Sequence, residues 1–221
     1  VRTPVLLISA GPSREFFDAV RFLSNSASGT LGIEIARCAV ENGWRVHLAL
    51  GPVAAEIPEG VQLHPFVSAR ELDAIAERLW PEVDAFVATA AVCDYSPQEK
   101  VSGKRKKSEG EWQVKLIANP DVLFNRSREK EDRVLVGFAL ETGDAEAEAR
   151  RKAVHKRLDL VVSNAPENLG AAAGDFAWVE PDAETCQLRG ISKKDLSRRL
   201  VDFIGGLLAQ RRRCDTRIEE I

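Results

Sequence analysis

Apolar residues alternate along this chain between two patterns. Continuous apolar runs recur at Val5–Ser9, Arg45–Leu50, Val61–Val67, Val83–Val92, Arg133–Leu140 and Leu158–Ser163. Runs of that length predict strands buried on both faces. Between them the apolar residues recur at helical spacing. Leu31, Ile35, Ala36, Ala39 and Val40 mark one helix, which Gly43 stops, and Leu72, Ile75, Ala76 and Leu79 mark another over Ala69–Trp80, ended by Pro81. A charged helix is expected over Asp144–Arg157. A closing helix is expected over Ser192–Ala209, with Leu196, Leu200, Phe203 and Leu207 as its stripe. Trp112–Ile117 reads as extended, and Asn119-Pro120-Asp121 opens a short helix. Phe176–Val179 and Thr185–Leu188 predict an antiparallel hairpin around Pro181-Asp182, and Arg211–Ile221 reads as a polar tail.

Strand and helix in alternation predict an α/β class: a Rossmann-like three-layer fold, mostly parallel sheet with helices on both faces and a small antiparallel extension. No repeat or linker divides the 221 residues, so one domain over 1–221 is expected. In such sheets ligands bind beyond the carboxyl ends of the strands. Four polar segments fall at those ends: Arg21–Gly32, Thr89–Tyr95, Asn119–Asp121 and Glu141-Thr142. They are read as one site.

Arg21–Gly32 is the most informative of them. It joins the first strand to the first helix, the order that turns backbone N–H groups and a helix N-terminus towards an anion. Ser26, Ser28, Gly29 and Thr30 are small enough for close approach, and Arg21 and Asn25 add side-chain donors. The plainer reading is a loop that caps a helix. Net charge is −3, which argues against duplex nucleic acid or an acidic membrane as the main partner. Basic residues instead cluster at Lys100–Lys107 and Arg150–Arg157, which suits a small polyanion. The lysine-rich stretch, about 98–110, reads either as a solvated loop or as a flexible flap over phosphates. Lys152 and Lys156 share a helix face, for phosphate or for ion pairs with Glu148 and nearby acids. Asp94 and Asp121 are candidates for Mg²⁺ or for helix caps. The four cysteines are scattered and read as reduced thiols, with Cys93 a small buried filler, and the three histidines lack metal-ligand spacing. No apolar run approaches transmembrane length and no signal peptide opens the chain, so a cytoplasmic location is expected. G-x-G-x-x-G, the P-loop and the nucleophile elbow are all absent.

Seven motifs occur in register: AGPSRE (Ala10–Glu15), VRFLSNSASGTLG (Val20–Gly32), AAVCDY (Ala90–Tyr95), KRKK (Lys104–Lys107), ANPDVL (Ala118–Leu123), VGFALET (Val136–Thr142) and LDLVVSN (Leu158–Asn164). Together they resemble phosphopantothenoylcysteine synthetase over about residues 5–204. That resemblance implies an amide ligase joining 4′-phosphopantothenate to L-cysteine through an acyl-nucleotide, with CTP favoured, ATP as the alternative nucleotide, and Mg²⁺ carried mostly by its phosphates. It implies nucleotide contacts at Ala88, Thr89, Ala90, Asp94, Lys104, Pro120, Asp121, Val122, Leu123, Phe138, Lys152 and Lys156. Asn25 and Lys104 would be the catalytic pair: Lys104 would serve acyl-nucleotide formation and Asn25 would hold the intermediate. Arg21, Ser26, Ser28 and Gly29 would form the substrate and phosphate loop around Asn25. It also implies a homodimer and an association with a decarboxylase, which in many bacteria is fused ahead of this domain. No counterpart of that half occurs in these residues, so FMN is not expected here. The sequence departs from the family pattern at Cys93, Arg105, Ala118 and Leu140, none of which carries an assigned role. An NAD(P)-binding reductase and a non-catalytic nucleotide-binding subunit stand as alternatives.

Overall fold

The computed structural model describes residues 2–107, 109–140, 145–164 and 172–218. Eight strands form the main sheet. Six are parallel: β1 (Val5–Ala10), β4 (Arg45–Leu50), β5 (Val61–Pro65), β6 (Ala85–Ala88), β9 (Val134–Leu140) and β10 (Leu160–Asn164). Two more, β11 (Ala173–Val179) and β12 (Cys186–Ser192), extend the β10 edge antiparallel. The sheet order is β12-β11-β10-β9-β6-β1-β4-β5. Counting the parallel strands alone, chain order reverses at β1. The gap between β1 and β6 is therefore the switch point, where such sheets leave a crevice at their carboxyl edge.

Every residue of β1 is buried, because helices cover both faces. Leu6, Ile8 and Ala10 point to one side and pack with α1 (Thr30–Glu41) and α5 (Lys193–Ile218). Leu7 points to the other and joins α2 (Ala69–Leu79), α3 (Val122–Ser127) and α4 (Ala145–His155). The Rossmann-like three-layer arrangement with its antiparallel extension is as expected. At the switch point α1 lies hard against the sheet. A Cβ on Gly32 would come within 2.5 Å of both the Ala10 Cβ and the Thr89 Oγ1, so only glycine lets the helix start there.

Three expected boundaries are corrected. The run Val83–Val92 contributes only Ala85–Ala88 to the sheet. Beyond it the chain turns aside to pair with the segment after β1, through Ala91 N–H to the Gly11 carbonyl and Ser13 N–H to the Ala91 carbonyl. The Trp112–Ile117 strand is only Leu116–Ala118 (β8), which pairs antiparallel with β7 (Tyr95–Pro97). The polar tail is instead helix, since α5 continues to Ile218. Its last turns are anchored by Arg211, which donates to the Asp132 and Arg133 carbonyls and pairs with Asp159, and by Arg212, which donates to the Arg2 carbonyl. An unexpected hairpin, β2 (Arg14–Phe16) with β3 (Phe22–Ser24), rises beside the β7–β8 ribbon at the same edge.

Candidate active site

A cavity of about 200 Å³ opens beyond the carboxyl ends of β1, β6 and β9, on the α2–α3–α4 side. Leu72, Phe86 and Leu123 make its apolar floor, Asp94, Asp121, Lys152 and Lys156 make its charged rim, and Phe138 lines it from the end of β9 while packing against the opposite core. Ten of the twelve expected nucleotide contacts line it: Ala88, Ala90, Asp94, Pro120, Asp121, Val122, Leu123, Phe138, Lys152 and Lys156. The other two, Thr89 and Lys104, do not. Thr89 turns its hydroxyl to the Ser9 carbonyl at 2.7 Å, and Lys104 is exposed in the segment that connects β7 to β8. Typical small-molecule pockets run from about 300 to 1,000 Å³, so this one lies just below that range.

The rim is already organised. Asp121 caps α3 by accepting the Phe124 N–H at 3.0 Å, and its other oxygen pairs with the Lys156 ammonium at 2.5 Å. The cap reading of Asp121 therefore holds. Glu148 pairs with Arg151 instead of Lys156 or Lys152. Lys152 donates to the Phe138 carbonyl at 2.6 Å, which ties α4 to the end of β9. Asn119 steadies the lip by donating its side-chain amide to the Cys93 carbonyl and its N–H to the Asp94 carbonyl. Cys93 is buried and unbridged, and burial pushes its thiol up, as a filler requires. Cys38 and Cys186 are also free thiols. The Cys214 side chain and the Glu141-Thr142 segment lie outside the described residues.

On the α1 side of the same edge lies the polar loop. Gly29 is the N-cap of α1 in a left-handed conformation (φ +72°), with no side-chain bond of its own, and no acid sits in the first turn. The Ser28 hydroxyl accepts the Thr30 N–H at 3.4 Å, so the loop does cap the helix, as its plainer reading expects. Ser28 bonds the Thr30 hydroxyl at 2.8 Å, Ser26 is exposed, and Asn25 donates to the Ala91 carbonyl at 3.1 Å. Ala91 sits between cavity-lining Ala90 and Val92, so Asn25 reaches the back of the strip that walls the cavity.

Arg21 is held by a residue that the sequence reading missed. Asp18 is fully buried at the β2–β3 turn and accepts four hydrogen bonds. Its Oδ1 takes the N–H groups of Val20 (2.7 Å) and Arg21 (2.8 Å), and its Oδ2 takes the Arg21 guanidinium (2.9 Å) and the Arg105 N–H (3.1 Å). The backbone donors at Arg21 and Val20 hold its carboxyl below the usual value. A signal was present: an Asp three residues before Arg, between Phe16 and Phe22, reads as an Asx-type turn inside a hairpin.

A helix start, a half-apolar cavity and a pair of lysines meet at one switch point. A family model described as the DNA/pantothenate metabolism flavoprotein C-terminal domain matches residues 2–207. The chain belongs to that family. The Bacillus subtilis coenzyme A biosynthesis bifunctional protein CoaBC is 35% identical over 210 residues, covering 93% of this chain and 52% of its own length. The protein of the same name from Vibrio parahaemolyticus is 36% identical over 212 residues, covering 92% of this chain and 52% of its own. The chain thus spans about half the length of these relatives. A crystal structure of the C-terminal domain of a CoaBC protein superimposes with a TM-score of 0.82 at 30% identity, covering 95% of this chain and 98% of that domain. The family resemblance read from the seven motifs is thereby upheld. No helix among the described residues is long and apolar enough to cross a membrane.

Proposed function

We propose that this chain is a phosphopantothenate–cysteine ligase of coenzyme A biosynthesis, working through an acyl-nucleotide and favouring CTP. The observation that carries the reading is the cavity, which gathers ten expected nucleotide contacts from four separate chain segments. In the first half-reaction the carboxylate of 4′-phosphopantothenate attacks the α-phosphorus of CTP. The bond to pyrophosphate breaks, and a phosphopantothenoyl-cytidylate forms. In the second, the cysteine amine attacks the acyl carbon, CMP leaves, and the amine gives up a proton.

Each residue has a task in that scheme. Leu123, Leu72 and Phe86 shelter the base and sugar from water, Phe138 lines the pocket at the end of β9, and the backbone at Ala88–Ala90 reads the base edge. Lys152 and Lys156 meet the phosphates at the rim. Lys104 offsets the charge that grows on the phosphoryl oxygens as pyrophosphate departs. The start of α1, with Ser26, Ser28 and Gly29, receives an anionic group of the substrate. Asn25 and Arg21 hold the acyl-nucleotide. No group of three or more metal-ligating side chains exists among the described residues, which fits Mg²⁺ held mainly by the nucleotide, with Asp94 as the exposed carboxylate at the mouth. That ion would supply further charge on the phosphates. Val20, Phe22, Tyr95 and Leu116 are exposed on the two ribbons, which supports pairing with a second copy of this chain. A decarboxylase, joined or associated, belongs to the same proposal, because the relatives are bifunctional.

The test is pyrophosphate release from 4′-phosphopantothenate with CTP or ATP, with and without cysteine. Release with CTP in the absence of cysteine is expected, with a kcat/KM for CTP at least about tenfold above that for ATP, since one lost hydrogen bond in a dry pocket costs about 1–3 kcal/mol. No release with either nucleotide sinks the ligase reading. Equal kcat/KM values sink the CTP preference alone.

A further inference from the structure

The lysine-bearing segment is fastened to the β2–β3 turn at several points. Val101 N–H donates to the Phe17 carbonyl at 2.9 Å, and Ala19 N–H donates to the Gly103 carbonyl at 3.1 Å. The Arg105 N–H donates to Asp18, and the Arg105 carbonyl accepts from the Arg21 guanidinium at 3.2 Å. The Arg105 guanidinium lies 4.8 Å over the Trp112 ring, which in turn meets Phe17 edge-on at 5.7 Å. Lys104 therefore has a backbone anchor on each side, both on the turn 17–21, while its own side chain stays exposed. Among the described residues, Asp18 alone has a side chain that bonds both the Arg21 side chain and the lysine segment.

We propose that Asp18 is a positioning residue: its buried carboxylate pins the Arg105 peptide to the Arg21 loop and so presents Lys104 at the site. The proposal rests on the ligase reading for what Lys104 does there. The chemistry favours a carboxylate over any neutral group. Four donors converge on two oxygens, and an ionised carboxylate is the side chain that only accepts. An asparagine keeps the shape but turns an NH₂ towards N–H donors. One side of the staple, Val20–Arg21 or Arg21–Arg105, must then be lost. The cavity floor and rim make none of these bonds, so nucleotide affinity is not what Asp18 controls.

The experiment uses the full chain and the variants Asp18→Asn, Lys104→Ala and the double variant. Amide exchange at Arg105 is expected to be slow in the unsubstituted chain and at least about tenfold faster in Asp18→Asn, because the charge-assisted bond that protects it is lost. Pyrophosphate release in Asp18→Asn should show kcat down roughly tenfold or more with the KM for CTP changed less than about threefold, the signature of an interaction made in the transition state. In the Lys104→Ala background the same substitution should cost less than about twofold, because residues acting as a unit are non-additive. Equal losses in both backgrounds overturn the proposal, as does unchanged exchange at Arg105. Should Asp18→Asn fail to fold, Arg105→Pro deletes the N–H from a surface segment and decides: loss of kcat supports the staple, and a wild-type kcat sinks it. The exchange measurement needs no substrate. An unsubstituted chain that releases no pyrophosphate therefore condemns the ligase reading and not the staple.

Discussion

The two sides of the switch point are built differently. The cavity on the α2–α3–α4 side is walled by strand ends and helix starts, and its shape is a by-product of the core. Its floor residues Phe86, Leu123 and Leu72 are themselves core residues. The apolar contacts of the loop side are aromatic pairs outside the main core, Phe16 with Phe22 and Phe17 with Trp112. That side is held by polar bonds between segments far apart in sequence, such as Asn25 with Ala91 and Asp18 with Arg105. A packed wall fixes what fits, at little cost when one polar contact is removed. A polar strap fixes where catalytic groups stand, and one lost bond can release it. Substitutions on the loop side should therefore damage kcat, and substitutions at the cavity should damage nucleotide KM.

The largest effect should come from Lys104→Ala. Its ammonium is exposed and unpaired among the described residues, so no fold contact is lost. Pyrophosphate release without cysteine should fall by roughly 100-fold or more, the usual loss for a preorganised donor to developing charge. Single-turnover assay with labelled CTP measures it. A rate within a few-fold of the unsubstituted chain would return Lys104 to the solvated-loop reading and break the contrast at its strongest point.

Asn25→Asp comes next. The amide donates to the Ala91 carbonyl, and an ionised carboxylate would set oxygen against oxygen there. Activation should survive, since the lysines that meet the triphosphate are untouched. Cysteine transfer should slow by roughly 10- to 100-fold, matching about 1–3 kcal/mol for an unmade polar contact. Rapid quench and mass spectrometry should find the acyl-cytidylate accumulating on the enzyme. A block before pyrophosphate release would instead place Asn25 with the first half-reaction.

The same contrast explains what the sequence revealed. Strand ends are readable because continuous apolar runs stop at them, and parallel topology then sends Ala88 and Phe138 to one edge. Asp121 was readable as a cap because Asn-Pro-Asp precedes an apolar turn. Lys156 was placed on a helix face, but its partner was not: Asp121 is distant in sequence, and spacing rules see only neighbours such as Glu148. The β2–β3 hairpin was hidden because each strand has three residues, too few for a period to register. The tail was misread for a related reason. A helix anchored by Arg211 to backbone carbonyls and Asp159 carries its reason for folding in tertiary contacts, not in an apolar stripe.

Lys156→Gln should sharpen the cavity half of the comparison. It removes the ion pair with Asp121, whose other oxygen still caps α3. Half the pair is exposed, so stability should change by less than about 1 kcal/mol. The KM for CTP should rise about three- to tenfold with kcat nearly unchanged, the pattern of lost uniform binding. A kcat loss larger than the KM change would mean that the rim, like the loop side, acts in the transition state.

Acid gives the smallest and most ordered effect. His47 is buried beneath α2, bonds His64 at 2.9 Å, and has Glu82, Arg45 and Arg78 around the pair. Burial is the main force holding both imidazoles below their usual 6.5, with the neighbouring arginines adding to it and Glu82 opposing it. The unfolded chain therefore binds protons first as pH falls. The stability these two groups contribute is present above pH 6.5 and is lost as pH drops from there through their folded values. Asp18 runs the same way at a lower range: its folded value lies below 3.8, so its contribution is complete above that value and is lost only as pH falls beneath it. The histidine pair should yield before the staple does. Melting temperature should fall by a few degrees between about pH 7 and 5.5 in the unsubstituted chain, and by less in His64→Gln, where roughly 1 kcal/mol corresponds to about 2–4 °C at this size. Amide exchange at Arg105, corrected for the intrinsic pH dependence, should stay protected across that window. Loss of Arg105 protection together with the histidine titration would show that the strap and the distant edge of the sheet open as one unit, and the two sides of the switch point could no longer be treated as separately built.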